Sequence, residues 1–110
     1  MPKSDGYIQT YTGLMFSPFD PDPSKICIED IAHHLSNICR FTGACRRFYS
    51  VAEHSVYVSL NCDLEHALRG LLHDATEAYI GDMSAPMKHF PTFENYRNLE
   101  TEVDRTICDA

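Results

Sequence analysis

The sequence has no apolar run that approaches the length of a membrane span, and residues 1–6 lack the apolar core of a secretory signal. Internal repeats and low-complexity tracts are also missing from the sequence. A chain of 110 residues suits one domain, and a domain of this size buries roughly two thirds of its unfolded surface. We therefore expect a cytoplasmic, single-domain protein with no membrane partner.

The sequence has no pair of cysteines at C-x-x-C spacing, the arrangement typical of zinc ribbons. Its five cysteines are an odd number, which argues against a disulfide framework. They are Cys27, Cys39, Cys45, Cys62 and Cys108. We expect them to be reduced, and most of them to be buried as small hydrophobic side chains.

Basic residues are scarce: nine Lys and Arg stand against 16 Asp and Glu, which gives a net charge of −7. This balance argues against a nucleic-acid polymer as partner, because such polymers require a basic face. Arg40, Arg46 and Arg47 nevertheless fall within eight positions. A local basic cluster in an acidic protein indicates a small anionic ligand, although surface arginines that pair with Asp and Glu give the same pattern.

The chain is expected to begin with a hairpin and then become helical. Two short apolar runs within residues 7–19 flank Thr12 and Gly13, which are a turn signal. We expect an N-terminal arm or hairpin over residues 1–25 and an all-α domain over residues 26–110.

Hydrophobic spacing and capping signals predict four helices in that domain. They cover residues 28–39, a second segment that starts at the N-cap Ser50, residues 63–80 before the C-cap Gly81, and a last segment that starts at the N-cap Thr92. The second helix has the clearest start, because Ser50 and Glu53 form a capping box. His54 follows in its first turns, where an imidazole can point toward a site between helices.

Residues 68–82 contain the densest set of side chains that can bind a metal. His73 and Asp74 are adjacent in an apolar segment, and Glu77 follows one turn later on the same helix face. Leu68 and the apolar residues around it predict a largely buried helix, where charges are costly unless they are paired or bound to a metal. A buried polar network of the three side chains alone would explain the same pattern.

Three segments together resemble the HD-domain metal-dependent phosphohydrolases, and most closely the small 5′-deoxynucleotidases and related phage and bacterial enzymes. The segments are residues 50–55 (SVAEHS), residues 73–78 (HDATEA) and residues 81–88 (GDMSAPMK). The resemblance covers roughly residues 28–107. It implies an all-α, HD-domain helical bundle and a metal-dependent phosphohydrolase that acts on (deoxy)nucleotides.

The resemblance also implies roles for individual residues. His54, His73 and Asp74 match the first three metal ligands of the family. Glu77 matches the acid that the family uses near the attacking water, and Asp82 matches a second acid of the active site.

Further matches concern the substrate. Arg40 and Phe41 lie where close members carry an Arg-Trp pair that contacts phosphate and sugar. Phenylalanine keeps an aromatic face there but lacks the indole N–H. Arg47 matches a further basic position of the substrate site.

The expected cofactor is a divalent metal ion. Neutral imidazoles together with a carboxylate suit Mn, Co, Fe, Ni or Zn, whereas imidazole ligands are less typical of Mg. The family's last metal ligand is an aspartate several dozen residues after the His-Asp pair, but only 36 residues follow Asp74. Asp104 and Asp109 lie on the last predicted helix, and we assign neither of them to that role.

We therefore expect an HD domain that is shortened at its C-terminus. Water or a partner would then complete the metal shell. A homo-oligomer is a further expectation, because a short chain needs partners to cover the face that a missing helix would leave bare. The missing ligand also leaves a second hypothesis, in which a degenerate HD domain binds nucleotide or metal without turnover.

Overall fold

The computed structural model describes residues 6–110, and most of them are helical. A two-stranded sheet precedes six α-helices, which confirms the all-α class and the N-terminal hairpin. The strands are β1 (Ile8–Gln9) and β2 (Met15–Phe16). The helices are α1 (Ile28–Ser36), α2 (Val51–Leu60), α3 (Ala67–Leu71), α4 (Glu77–Ile80), α5 (Ala85–Lys88) and α6 (Glu94–Asp109). Residues 1–5 of the predicted arm lie outside the described range.

The hairpin closes at the turn that the sequence predicts. Its strands are antiparallel, with Ile8 opposite Phe16. Gly13 has a φ of +92°, a left-handed conformation that glycine adopts without the steric cost that a Cβ brings. Asp30 of α1 holds the turn, because its carboxylate accepts hydrogen bonds from the Thr12 N–H at 2.8 Å and the Thr12 hydroxyl at 2.9 Å.

A second contact fixes the hairpin to the helices through His34. Its Nδ1 lies 2.7 Å from the carbonyl oxygen of Ala78 and donates to it, while its Nε2 accepts a hydrogen bond from the Tyr11 N–H at 3.0 Å. Both ring nitrogens therefore have protein partners. His34 therefore has a structural role between the hairpin and the helices.

The hydrophobic core joins the hairpin, α1, the N-terminal end of α2, the segment around α4, and α6. Its buried members are Phe16, Ile31, Leu35, Val51, Ala75, Ala78, Tyr79 and Val103. The side chain of Phe16 packs against the ring of Tyr79, with 4.4 Å between their centroids. Burial of each such side chain contributes about 1.5–3 kcal/mol, so this core fixes the backbone from which the polar residues project.

The predicted continuous helix over residues 63–80 is wrong. The chain forms a 3₁₀ turn at Leu64–His66, then α3, and then a run of tight turns over residues 72–76 before α4. In a regular α-helix the Gly70 carbonyl would accept the N–H four residues later, but here it accepts the His73 side chain at 2.7 Å and the His73 N–H at 3.5 Å. The backbone that follows closes i→i+3 bonds, such as Glu77 N–H to Asp74 C=O at 3.0 Å.

Two other helix boundaries and the burial of one residue differ from the predictions. The first helix ends at Ser36, because Cys39 forms an isolated antiparallel bridge with Ser50 and leaves the helix. Leu68, expected to be buried, is 68% exposed. Thr92 does not cap the last helix, since it lies inside a 3₁₀ turn, Pro91–Phe93, that leads into α6.

The capping signals of Ser50 and Gly81 are confirmed. The Ser50 side chain accepts a hydrogen bond from the Glu53 N–H at 3.0 Å, and Gly81 ends α4 with a φ of +82°. Within residues 6–110, no helix combines the length and the apolar character needed to cross a bilayer.

Candidate metal centre

Two elements bring His54, His73 and Asp74 together. Helix α2 presents His54 about one turn after its cap, and the tight turns between α3 and α4 present His73 and Asp74. One potential ligand atom from each residue lies within 4.8 Å of the other two. The imidazole rings of the two histidines are 5.2 Å apart and inclined by 64°. The three residues that the sequence suggested as metal ligands therefore form one cluster that could hold a metal ion.

Hydrogen bonding assigns the tautomer of His73. Its Nδ1 must donate to the Gly70 carbonyl, since a carbonyl oxygen has no hydrogen to offer. In the neutral ring, Nε2 then carries a lone pair, and this atom lies 2.9 Å from Oδ2 of Asp74. Two acceptors at this distance repel each other unless a proton or a metal cation is shared between them. A backbone carbonyl that orients a histidine through its other nitrogen is the usual outer-shell contact of a metal ligand.

The surroundings of His54 favour the neutral imidazole that binds metals. Burial lowers the pKa of this ring, and the nearby positive charge of Arg40 lowers it further, against the opposing charge of Asp74. Its Nε2 lies 3.6 Å from Oδ2 of Asp74. The same carboxylate oxygen is therefore next to both imidazoles, and a neutral ring leaves a lone pair free for a cation.

Glu77 and Asp82 enlarge the cluster on its acidic side. Burial and the carboxyl groups of Asp74 and Asp82 raise the pKa of Glu77 to about 9. Glu77 is almost fully buried, at 7% exposure. Three carboxyl groups in one small volume are stable only if protons or cations compensate their charge.

A cavity of about 370 Å³ opens over this acidic face. Its walls include Arg40 and Phe41 as well as Asp74, Glu77 and Asp82. The space is therefore bounded by basic side chains, an aromatic ring and the carboxyl groups of the cluster. A small ligand with an anionic group and a planar ring matches these walls.

Arg40 is positioned by two aromatic rings. Its guanidinium carbon lies 4.4 Å from the centroid of the Phe41 ring and 5.4 Å from that of Tyr49. No carboxylate among the described residues lies within ion-pairing distance of it. The fork of donors is thus held in place with its charge available to an anion.

The loop behind Arg40 is conformationally strained. Phe41 and Thr42 have φ angles of 58° and 55°, and Gly43 follows at 84°. A left-handed conformation costs a side-chain-bearing residue roughly 1–2 kcal/mol, so the first two positions are unfavourable. Such strain concentrates at ligand-binding sites, where the surrounding fold maintains it.

The structure separates Arg47 from the other expected substrate-binding residues. Its side chain is exposed, and it does not contribute to the described walls of the cavity. Arg40 and Phe41 do line the cavity. The basic cluster of the sequence is thus divided between the site and the surface.

Sequence reasoning missed Lys88. This residue lines the 370 Å³ cavity beside Arg40 and also a second cavity of about 250 Å³ beside His73 and Asp74. Its ammonium group pairs with Glu100 at 3.1 Å. The motif at residues 81–88 was a usable signal, because it ends on this cation. Asp104 lines the second cavity but does not belong to the three-residue cluster.

Comparisons with known proteins give two relatives. "Uncharacterized protein YfdR" of Escherichia coli is 43% identical over 101 residues, which are 92% of this chain and 56% of that protein. "Uncharacterized protein RCAP_rcc00048" of Rhodobacter capsulatus is 40% identical over 86 residues, which are 70% of this chain and 44% of that protein. The chain spans about half the length of these relatives. No family model matches it.

Proposed function

We propose that the chain is an HD-type domain with metal-dependent phosphohydrolase activity, which releases phosphate from (deoxy)nucleotides by hydrolysis. The observation that carries this proposal is the pair of acceptors formed by Nε2 of His73 and Oδ2 of Asp74, 2.9 Å apart, with the His54 imidazole beside them. Neutral imidazoles and a carboxylate are the donor set of Mn, Co, Fe, Ni and Zn sites. The residues present therefore fit a divalent cation, which His54, His73 and Asp74 would hold.

The bound cation would supply Lewis-acid stabilisation of a phosphoryl oxygen and make a nearby water more acidic. The protein's own groups have complementary roles in the cavity. Arg40 binds two non-bridging phosphate oxygens through its fork of donors. The exposed ring of Phe41, 60% accessible, stacks on the sugar or the base.

In this proposal, Glu77 and Asp82 are the groups that accept the proton of the attacking water and return a proton to the leaving group. Both line the same cavity as Arg40. An ionised carboxylate within reach of that water accepts its proton as the oxygen–phosphorus bond forms. Asp82 can have this role, and so can Glu77 once a bound cation compensates the negative charge around it, since burial and the neighbouring carboxyl groups otherwise raise the pKa of Glu77 to about 9. A proton is then returned to the oxygen of the leaving nucleoside. Burial of Glu77 fixes its position, so that little entropy is lost when the water binds.

A second candidate function follows from the size of the ligand set. The cluster contains three protein ligands among the described residues, one fewer than the HD-domain pattern uses. A domain with this set would bind nucleotide or metal without turnover. Calorimetry separates the two functions, because binding of a deoxynucleotide in excess metal without phosphate release supports the second.

Phosphate release tests the principal proposal. The full chain is incubated with Mn²⁺ or Co²⁺ and a panel of deoxynucleoside mono- and triphosphates, and inorganic phosphate is measured. We expect release by the wild type and loss of release in His73→Ala and Asp74→Ala. Asp104→Asn is the matched control, because Asp104 lines the neighbouring cavity outside the cluster. Equal release by the wild type and both cluster variants would contradict the proposal.

A further inference from the structure

Two cysteines face each other beside the Arg40 loop. Sγ of Cys39 lies 3.2 Å from Sγ of Cys45. Both side chains are half-buried, and both thiols are free. A disulfide bond is about 2.05 Å long, so a closure of little more than 1 Å would join the two sulfur atoms.

The backbone holds the first cysteine in place. Cys39 pairs with Ser50 in an antiparallel bridge, which the Arg40 N–H to Tyr49 C=O bond at 2.8 Å and the Val51 N–H to Ile38 C=O bond at 2.9 Å form. This bridge joins the two ends of the loop over residues 40–49. Cys45 lies near the start of that loop, with its Sγ 3.9 Å from the Arg40 carbonyl oxygen.

The two thiols are chemically unequal. Hydrogen bonds from the Tyr49 N–H and from the Cys45 side chain lower the pKa of Cys39. The hydrogen bond to Cys39 and burial raise the pKa of Cys45. Since a thiolate is the nucleophile, this difference favours Cys39 as the thiol that an oxidant attacks and Cys45 as the resolving thiol.

We propose that Cys39 and Cys45 are a reversible disulfide site, with a hydroperoxide as the oxidant. The Cys39 thiolate attacks one peroxide oxygen, the O–O bond breaks, and the leaving hydroxide or alkoxide takes a proton. The resulting sulfenic acid is attacked by Cys45 sulfur. The S–O bond breaks, water leaves with the Cys45 proton, and the S–S bond forms. Two electrons pass from the two thiols to the peroxide, and a dithiol reductant reverses the change.

The bond would close a ring around the strained segment. Residues 40–44 lie between the two cysteines and include Arg40 and Phe41, both of which line the 370 Å³ cavity. Oxidation would therefore fix the segment in its present conformation. This inference concerns the thiols alone and does not depend on the proposed hydrolysis.

Peptide mass spectrometry of the full chain tests the proposal. The protein is treated with one equivalent of hydrogen peroxide, the remaining thiols are alkylated, and the digest is analysed. We expect loss of two of the five free thiols and a Cys39–Cys45 linked peptide lighter by two hydrogen atoms. Dithiothreitol should restore both thiols.

Variants identify the resolving thiol. In Cys45→Ser, and in Cys45→Ala as a second variant, we expect no linked peptide and a Cys39 sulfenic acid that dimedone traps. Cys62→Ser is the matched control and should still form the Cys39–Cys45 link. A wild-type protein in which Cys39 is oxidised to sulfinic acid without any link, or is linked to a different cysteine, would overturn the proposal.

Discussion

Nε2 of His73 and Oδ2 of Asp74 are 2.9 Å apart, although the hydrogen bond from Nδ1 of His73 to a backbone carbonyl leaves no hydrogen on Nε2 of the neutral ring. The contact is favourable only with a positive charge between the two atoms, carried by a second proton or by a metal. Asp74 also faces Glu77, and burial together with the charges of Asp74 and Asp82 raises the pKa of Glu77 to about 9. The local arrangement therefore lowers the stability of the metal-free protein and favours cation binding.

Asp74→Asn tests whether the repulsion between the Asp74 carboxylate and its neighbours lowers the stability of the metal-free protein. An amide can donate a hydrogen bond to Nε2 of His73 and removes one negative charge next to Glu77. We expect the metal-free variant to be more stable by about 1 kcal/mol, near the value of one hydrogen bond, with a Tm raised by about 4 °C or more for a domain of this size. Thermal unfolding in chelator measures it. Asp104→Asn should stay within about 0.5 kcal/mol of the wild type, and an unstable Asp74→Asn variant would oppose the interpretation.

Arg40 and Arg47 allow a matched test of phosphate binding. Arg40 lines the cavity beneath the Phe41 and Tyr49 rings, whereas Arg47 is exposed outside it. If the proposed hydrolysis is measured, Arg40→Ala should lower kcat/KM by about 10–100-fold, because hydrogen bonds to a charged group contribute about 1.5–3 kcal/mol. Arg40→Lys should recover only part of this loss, since the bidentate fork is gone. A larger effect of Arg47→Ala would show that phosphate binds elsewhere.

We expect the hydrogen-bonded carboxylate of Asp30 to contribute to the stability of the fold in a pH-dependent way. Burial alone would raise its pKa, but hydrogen bonds from Thr12 and Thr10 outweigh burial and lower the pKa below the ordinary value. A depressed carboxyl pKa contributes stability above its unfolded value of about 3.9, and this contribution is lost as pH falls through the lower folded value. Asp30→Asn should thus cost about 1–3 kcal/mol at pH 7 and progressively less below about pH 4.

Urea unfolding at several pH values measures the difference in the free energy of unfolding between the wild type and Asp30→Asn. The exposed Glu29 lies on the same helical turn, so Glu29→Gln is the control and should change little at any pH. An Asp30→Asn deficit that grows as pH falls would have the wrong sign for a lowered pKa.

Gly70 is required by the crossing of α2 and α3. A Cβ at this position would lie 2.8 Å from Sγ of Cys62 and 3.4 Å from the Cα of Ser59. Gly70→Ala, which stabilises an ordinary helix interior, should here destabilise the protein by about 1 kcal/mol. Because the closest clash is with a side chain, the double variant Gly70→Ala/Cys62→Ala should be more stable than the sum of the single changes. Purely additive free energies of unfolding would contradict this packing argument.

Local signals in the sequence predicted much of the framework. The Ser50 cap, the Gly81 terminus and the turn at Gly13 all depend on the chemistry of a few neighbouring residues, and the structure confirms each of them. Motif resemblance predicted that His54, His73 and Asp74 share one site, and the fold brings these side chains together.

The remaining features depend on contacts between distant or competing groups. The helix breaks after Leu71, where the Gly70 carbonyl accepts a hydrogen bond from the His73 side chain, and helical periodicity contains no information on such a contact. Arg40 and Arg47 are separated by a segment with left-handed backbone at Phe41 and Thr42, two residue types that rarely adopt it. Neither effect could be read from hydrophobic spacing.

Metal binding by histidine variants tests the central claim most directly. Calorimetric titration of the full chain with Co²⁺ or Mn²⁺, together with elemental analysis, should give one ion per chain. His54→Ala and His73→Ala should each weaken binding by more than about 100-fold, beyond the loss typical of an outer-shell partner. His66→Ala, an exposed histidine outside the cluster, should bind like the wild type. No bound ion, or equal affinity in all four proteins, would contradict the account.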